Sequence, residues 1–117
     1  MSLIEIIRQL AGDNSITYTG HAMDQLLNRN ITTDSVKKVL QSGDNQLIEV
    51  QSRSRTPGKE HADDRLLVYA PTVDDDIIVV SVILSKPSSE IRVITAEHVD
   101  ESIWERKEGQ NPGLVRK

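Results

Sequence analysis

The sequence has no cysteine and few aromatic residues. Only 3% of its 117 residues are aromatic; Trp104 is the single tryptophan and phenylalanine is absent. The lack of cysteine excludes disulfide bonds, zinc–thiolate sites and a thiolate nucleophile. The core must therefore be built mainly from Ile, Val and Leu. The length is that of one domain with one hydrophobic core, which we place over residues 1–117.

Positive charge is also scarce. Lys and Arg number 14 against 18 Asp and Glu, which gives a formal net charge of −4. Proteins that bind nucleic acids usually carry a basic face, because neutralising phosphates supplies much of their affinity. The acidic total lowers the expectation that RNA or DNA is the main partner, although it still permits a local basic patch.

Long apolar runs are missing as well. The first apolar stretch, residues 1–12, is interrupted by Glu5 and Arg8. It is too short and too charged to span a bilayer, and it lacks a signal-peptide cleavage pattern. We predict a cytoplasmic protein without a membrane partner.

Helical signals fill the first third of the chain. Ser2 followed by Glu5 is a capping box for a first helix. Residues 19–29 form a second predicted helix. Its apolar face, which we expect to pack in the core, consists of Ala22, Met23, Leu26 and Leu27. Asn30 is suited to a left-handed backbone that ends this helix. A cap at Thr32 or Thr33 then predicts a third helix ending near Gly43.

From residue 46 the apolar period changes to two. Predicted strands cover residues 47–51, 66–70, 77–84 and 91–96. We expect an exposed loop at 52–65, turns at Asp74–Asp76 and at 86–89, a last helix at 97–107 and a frayed tail at 109–117. The predicted fold class is α+β: a small, mainly antiparallel sheet of four to five strands with helices packed on it.

Several spaced residues resemble a bacterial family that is classed as a domain of unknown function. The matching positions are His21-Ala22, Arg29, Ile31, Val36, Leu40, Gly43 and Val93-Ile94-Thr95. Family members typically show His-Ala, arginines four and eight residues after the His, and then Gly-Ile. This chain has Gln25 at the first arginine and Asn30 at the glycine. The resemblance covers about residues 16–96.

That family is distantly similar to RelE- and BrnT-like toxins, which implies a toxin-type, metal-independent ribonuclease without a cofactor. In this interpretation His21 is a general base for a ribose 2′-hydroxyl, and Arg29 stabilises the developing phosphorane. Arg92 and Arg65 are further cations projecting from the sheet, and His98 is a second acid–base group. Losing the arginine at position 25 weakens the phosphate-binding interpretation.

Three of these residues also have a structural interpretation. His21 can cap its helix or bond the preceding strand, Arg29 can pin helix to sheet, and Arg92 can cover the outer sheet face. The alternative function is a non-catalytic protein-binding module, of an immunity or regulatory kind, and the acidic charge favours it. A cognate protein partner, an antitoxin or a toxin, is the predicted partner, with RNA as the other candidate.

Overall fold

The computed structural model describes residues 2–51, 64–83, 90–107 and 113–117. The predicted turn at 86–89 and all but the last two residues of the predicted loop at 52–65 lie outside these ranges. That predicted loop contains a basic cluster in the sequence, Arg53, Arg55 and Lys59, which also lies outside these ranges.

Three helices form, and each begins at a hydroxyl cap. They are α1 (Leu3–Gly12), α2 (Gly20–Asn28) and α3 (Thr33–Gln41). The caps are Ser2, Thr19 and Thr32, and each side chain accepts a hydrogen bond from the backbone N–H three residues later. Such a cap contributes about 1 kcal/mol to helix stability. None of these three helices has the length and apolar run needed to cross a membrane.

Asn30 sets the turn between α2 and α3. Its φ is 57°, in the left-handed region, as the sequence predicts. The backbone N–H of Ile31 donates to the carbonyl of Leu26 at 2.9 Å, which closes the end of α2. The chain reverses here so that both helices lie on one side of the sheet.

The main sheet has five strands in the order β1-β5-β4-β3-β2. Their bounds are Ile16–Tyr18 (β1), Gln46–Gln51 (β2), Arg65–Ala70 (β3), Asp74–Ile83 (β4) and Ile91–His98 (β5). The pairs β2–β3, β3–β4 and β4–β5 are antiparallel, whereas β1 pairs with β5 in parallel. The sheet is therefore mixed, because the short strand β1, which lies between α1 and α2 in the chain, pairs in parallel with β5 at the sheet edge opposite β2.

Both faces of the sheet are covered. The helices pack on one face through a core that includes Ala22, Leu26, Val39, Val68, Val79 and Val93. On the other face lies a hairpin of β6 (Trp104–Lys107) and β7 (Gly113–Arg116), with Trp104 and Leu114 buried against Leu67, Tyr69, Ile78 and Val80. The molecule thus has three layers: helices, sheet and hairpin.

The predicted last helix at 97–107 is wrong. Strand β5 continues to His98, and β6 begins at Trp104 after a turn. The Asp100 carboxylate accepts bonds from the Ser102 backbone N–H at 2.9 Å and from the Ser102 hydroxyl, which fixes a non-helical turn. Burial of the only tryptophan against the sheet then favours a strand over the helix that the local sequence permits.

Two further expectations need correction. The tail predicted to fray contains strand β7, where Gly113 and Leu114 are buried. The three aspartates at 74–76 begin β4 instead of forming a turn, which falls at residues 71–73. Asp74 pairs with Ala70 across that turn, and β7 pairs with β6 in a hairpin that the sequence analysis did not predict.

Candidate functional site

Helix α2 carries two of the predicted catalytic residues at opposite ends. His21 lies in its first turn, is exposed, and has no hydrogen-bond or ion-pair partner among the described residues. Arg29 is the C-cap residue. Eight residues of helix separate their backbones by about 12 Å. The capping role considered for His21 belongs to Thr19.

Arg29 joins the end of α2 to strand β5. Its Nη1 donates to the Thr95 hydroxyl at 3.0 Å and to the Ala96 carbonyl at 2.8 Å. The side chain is half-buried, and hydrogen bonds from a charged donor in such a place contribute about 1.5–3 kcal/mol. Arg29 therefore pins helix to sheet, and its partners there are neutral oxygens.

His98 reinforces the same junction. Its Nε2 lies 2.8 Å from the Arg29 backbone carbonyl, and its Nδ1 lies 2.8 Å from Asp76 Oδ2. Both partners are acceptors, and both ring nitrogens are engaged. In this arrangement His98 anchors the end of α2. It sits by the C-terminus of α2, so the structure does not pair it with His21 at the N-terminus.

Arg92 and Arg65 lie on the sheet face opposite the helices. Arg92 alternates along β5 with Ile91 and Val93, which belong to the helix-side core. Arg92 is in register with Val82, and continuing the β3–β4 register by one pair places Arg65 beside Val82 on the other side. The two arginines thus flank Val82 in one row, about 10 Å apart at the backbone. Neither has an ion-pair partner among the described residues.

The predicted catalytic set is therefore dispersed. His21 and Arg29 are on the helix side at different ends of α2, and Arg92 is on the opposite side of the sheet. In the described ranges no group of three or more His, Asp or Glu side chains is placed to hold a metal ion. The arrangement offers a cationic row on one face and an isolated histidine on the other.

A groove beside β1 was missed by the sequence analysis. It has a volume of about 360 Å³ and lies between the edge strand β1, the flank of α2 and the first turns of α3. The residues that line it are Asn14, Ile16, Tyr18, Met23, Thr33, Asp34 and Lys37. The Tyr18 hydroxyl donates to the Thr33 carbonyl at 3.4 Å, and burial raises the pKa of Tyr18. Lys37 bonds the Asn14 side chain across the groove.

One flank of α2 leaves apolar side chains in solvent. Of the four apolar residues predicted to face the core, only Ala22 and Leu26 are buried. Met23 is 41% exposed and Leu27 is 80% exposed. These two are four residues apart on the same side of the helix, and Met23 also lines the groove. The sequence did contain a signal for this exposure. Four apolar residues make a wider face than a helix of nine residues buries against a sheet.

The hairpin side is held by a charged cluster. The Arg116 guanidinium donates to both Glu49 carboxylate oxygens at 2.6 and 2.8 Å, and it lies 4.8 Å from the Trp104 ring centroid. The Arg116 hydrogen bonds lower the pKa of Glu49. These contacts fix the hairpin on the sheet and leave neither group available for a ligand.

The architecture is that of a small α+β domain with a mixed five-stranded sheet between helices and a hairpin. The chain belongs to the family described as DUF4258, a domain of unknown function, whose model matches residues 18–98. This confirms an uncharacterised domain family over most of the chain. No curated protein matches the sequence, and no solved structure matches it.

Proposed function

We propose that this domain is a protein-binding module whose partner covers the exposed apolar side of α2 and the adjoining groove. The observation that carries the proposal is Leu27, which is 80% exposed beside Met23. Burying a side chain of this kind stabilises a complex by about 1.5–3 kcal/mol. A nuclease needs its catalytic groups at one place, whereas His21, Arg29 and Arg92 are dispersed, and this supports binding over catalysis.

The test is capture of a partner with purified chain as bait, using lysate of the source cells. Wild type is compared with a Met23→Lys/Leu27→Lys double variant and with Leu3→Lys. Leu3 is a matched control, because it is 46% exposed on α1. We expect one protein to be retained by wild type and by Leu3→Lys, and lost about tenfold or more with the double variant.

The opposite pattern would remove the proposal. If the double variant retains the same proteins as wild type, the α2 side is not the binding surface. Circular dichroism of all three proteins shows whether the fold is unchanged, which we expect because the substituted side chains are exposed.

A second candidate function is the toxin-type ribonuclease. It is supported by the row of Arg65 and Arg92 on one sheet face, which have no ion-pair partner in the part of the chain that the structure describes and can bind successive phosphates of an RNA strand. In this candidate the two arginines hold the RNA backbone. The catalytic base His21, however, lies on the opposite side of the sheet from that RNA. That separation makes it the weaker of the two.

Induced expression in a bacterial host tests the ribonuclease candidate. Growth and total RNA integrity are followed for wild type, His21→Ala, Arg29→Ala and an Arg65→Glu/Arg92→Glu double variant. The candidate requires growth arrest with RNA fragmentation, abolished by His21→Ala and by the double variant while the proteins stay folded. Intact RNA with soluble wild-type protein would eliminate it.

A further inference from the structure

The outer edge of strand β1 has unpaired backbone groups. In the parallel pair, the Ser15 carbonyl accepts from the Ile91 N–H at 2.8 Å, and the Thr19 N–H donates to the Val93 carbonyl at 3.2 Å. A parallel ladder uses alternate residues, so Thr17 also faces β5 while the backbone groups of Ile16 and Tyr18 face away from it. Among the described residues, no backbone partner meets those outward groups.

The two sides of this edge differ in chemistry. The side chains of Ile16 and Tyr18 pack against the helix-side core and line the groove with Met23. Thr17 points the other way, is exposed, and lies in register beside Arg92. The edge strand therefore has an apolar groove on one side and the exposed cation Arg92 on the other.

We infer that β1 accepts an extended segment of a partner protein as a sixth strand, with an apolar–acidic–apolar sequence at its centre. The inference rests on the proposed protein-binding function and specifies how the partner binds. The added strand bonds the outward N–H and C=O groups of Ile16 and Tyr18, which is the mode of β-augmentation. Its apolar residues enter the groove.

Charge complementarity selects the central residue. A side chain that lies beside Thr17 on the hairpin side is about 10 Å from the backbone of Arg92, two strand spacings away. An arginine and a glutamate side chain together cover this span across the small Thr17. Because Arg92 is exposed and has no carboxylate partner among the described residues, an acidic residue is attracted there and a basic one is repelled.

The probe is a synthetic peptide, Gly-Ser-Val-Glu-Val-Ser-Gly, compared with the same peptide carrying Lys in place of Glu. Amide NMR shifts are followed during titration of the full chain at low salt. We expect shifts at residues 16–18, hydrogen-exchange protection of the Ile16 and Tyr18 amides, and about threefold to fivefold tighter binding of the Glu peptide.

Two charge-reversal variants sharpen the test. Arg92→Glu should invert the preference between the peptides. Arg65→Glu is the matched control, because Arg65 lies on the same sheet face but on β3, two strands further from β1, and it should leave the preference unchanged. If both variants change the peptide preference equally, the preference arises from the net charge of the protein and not from Arg92, and the inference is overturned.

Other outcomes also decide the matter. Absence of shifts at residues 16–18 up to millimolar peptide overturns the inference, as does concentration-dependent self-association through β1 without peptide. If α2 variants lose a captured partner while the Ile16 and Tyr18 amides stay unprotected in that complex, the proposed function stands and the sixth strand does not. If the α2 variants capture the same proteins as wild type, the proposed function fails, whatever the peptide does.

Discussion

At the scale of single residues, two of the side chains predicted to be catalytic have structural roles in the fold. Arg29 and His98 both hold the C-terminal end of α2 against the strands. Sequence alone cannot distinguish these roles, because the partners of Arg29 are 66 and 67 residues away along the chain. Of the five candidate residues, His21, Arg65 and Arg92 have no hydrogen-bond or ion-pair partner among the described residues.

Replacing Arg29 tests its structural role. We expect Arg29→Ala to lower the free energy of unfolding by about 1–3 kcal/mol, because it removes two half-buried hydrogen bonds and leaves the Ala96 carbonyl without that donor. Arg92→Ala, which removes an exposed arginine, should change it by less than about 0.5 kcal/mol. Urea unfolding followed by circular dichroism measures both. Equal midpoints for the two variants would show that the Arg29 bonds do not stabilise the fold.

Asn30 gives a second prediction at this scale. Its φ of 57° is costly for residues with a Cβ and costs glycine nothing. Asn30→Ala should destabilise the protein by about 1 kcal/mol, whereas Asn30→Gly should be nearly neutral. Asn28→Ala, at an exposed helical position, is the control. Thermal unfolding of the three variants orders them, and an Ala variant as stable as the Gly variant would contradict a left-handed turn.

At the scale of elements, the sequence predicts whatever is encoded locally. The caps Ser2 and Thr32 and the alternating strands are found close to where the pattern places them, whereas the cap of α2 is Thr19, which the sequence analysis did not name. The errors fall where a distant partner decides: Trp104 enters a strand because the sheet face offers it burial. The same limit explains why Leu27 was assigned to the core although α2 buries a narrower stripe.

The hairpin makes an element-scale prediction about pH. Hydrogen bonds from Arg116 lower the pKa of Glu49 below its ordinary value of 4.5, so the unfolded chain binds this proton more tightly than the folded one. The resulting stabilisation is complete above pH 4.5 and is lost as the pH falls through the lowered pKa. The Glu49→Gln variant should therefore have a lower free energy of unfolding than wild type at neutral pH. That free energy should also fall less steeply than in wild type as the pH is lowered.

Urea midpoints measured from neutral pH to about pH 3 check this, a range that spans the ordinary carboxyl titration. Glu105→Gln is the control, because Glu105 is an exposed residue of the same hairpin. Its decline should parallel that of wild type. Parallel curves for the Glu49 variant would mean that the Glu49–Arg116 pair does not contribute to stability.

At the scale of the whole molecule, the candidate sites depend on strand order, which the sequence leaves open. Arg65, Val82 and Arg92 come from three strands and share a row only because β4 lies between β3 and β5. The groove exists because β1 crosses to the far edge beside β5. Neither arrangement follows from spacing along the chain. The sequence could therefore indicate candidate residues but not which of them lie close together in the fold.

The shared sheet also predicts how the molecule unfolds. Both cores use β3 and β4, since successive residues of these strands point alternately to the helices and to the hairpin. Loss of either layer uncovers the strands on which the other is packed, so we expect one cooperative transition. Trp104 reports the hairpin layer by fluorescence, because it is the only tryptophan and is 3% exposed. Far-UV circular dichroism at the helical band reports the other layer.

The two signals should give coincident urea midpoints and equal slopes, as a two-state transition requires. Leu114→Ala truncates a buried hairpin residue and should lower the free energy of unfolding by about 2–5 kcal/mol if the cavity does not collapse. Both urea midpoints should therefore fall together. A tryptophan transition that precedes the helical one would instead make the hairpin a separately detachable layer. In that case the hairpin could leave the sheet face that bears Arg65 and Arg92 while the helices stay folded on the opposite face.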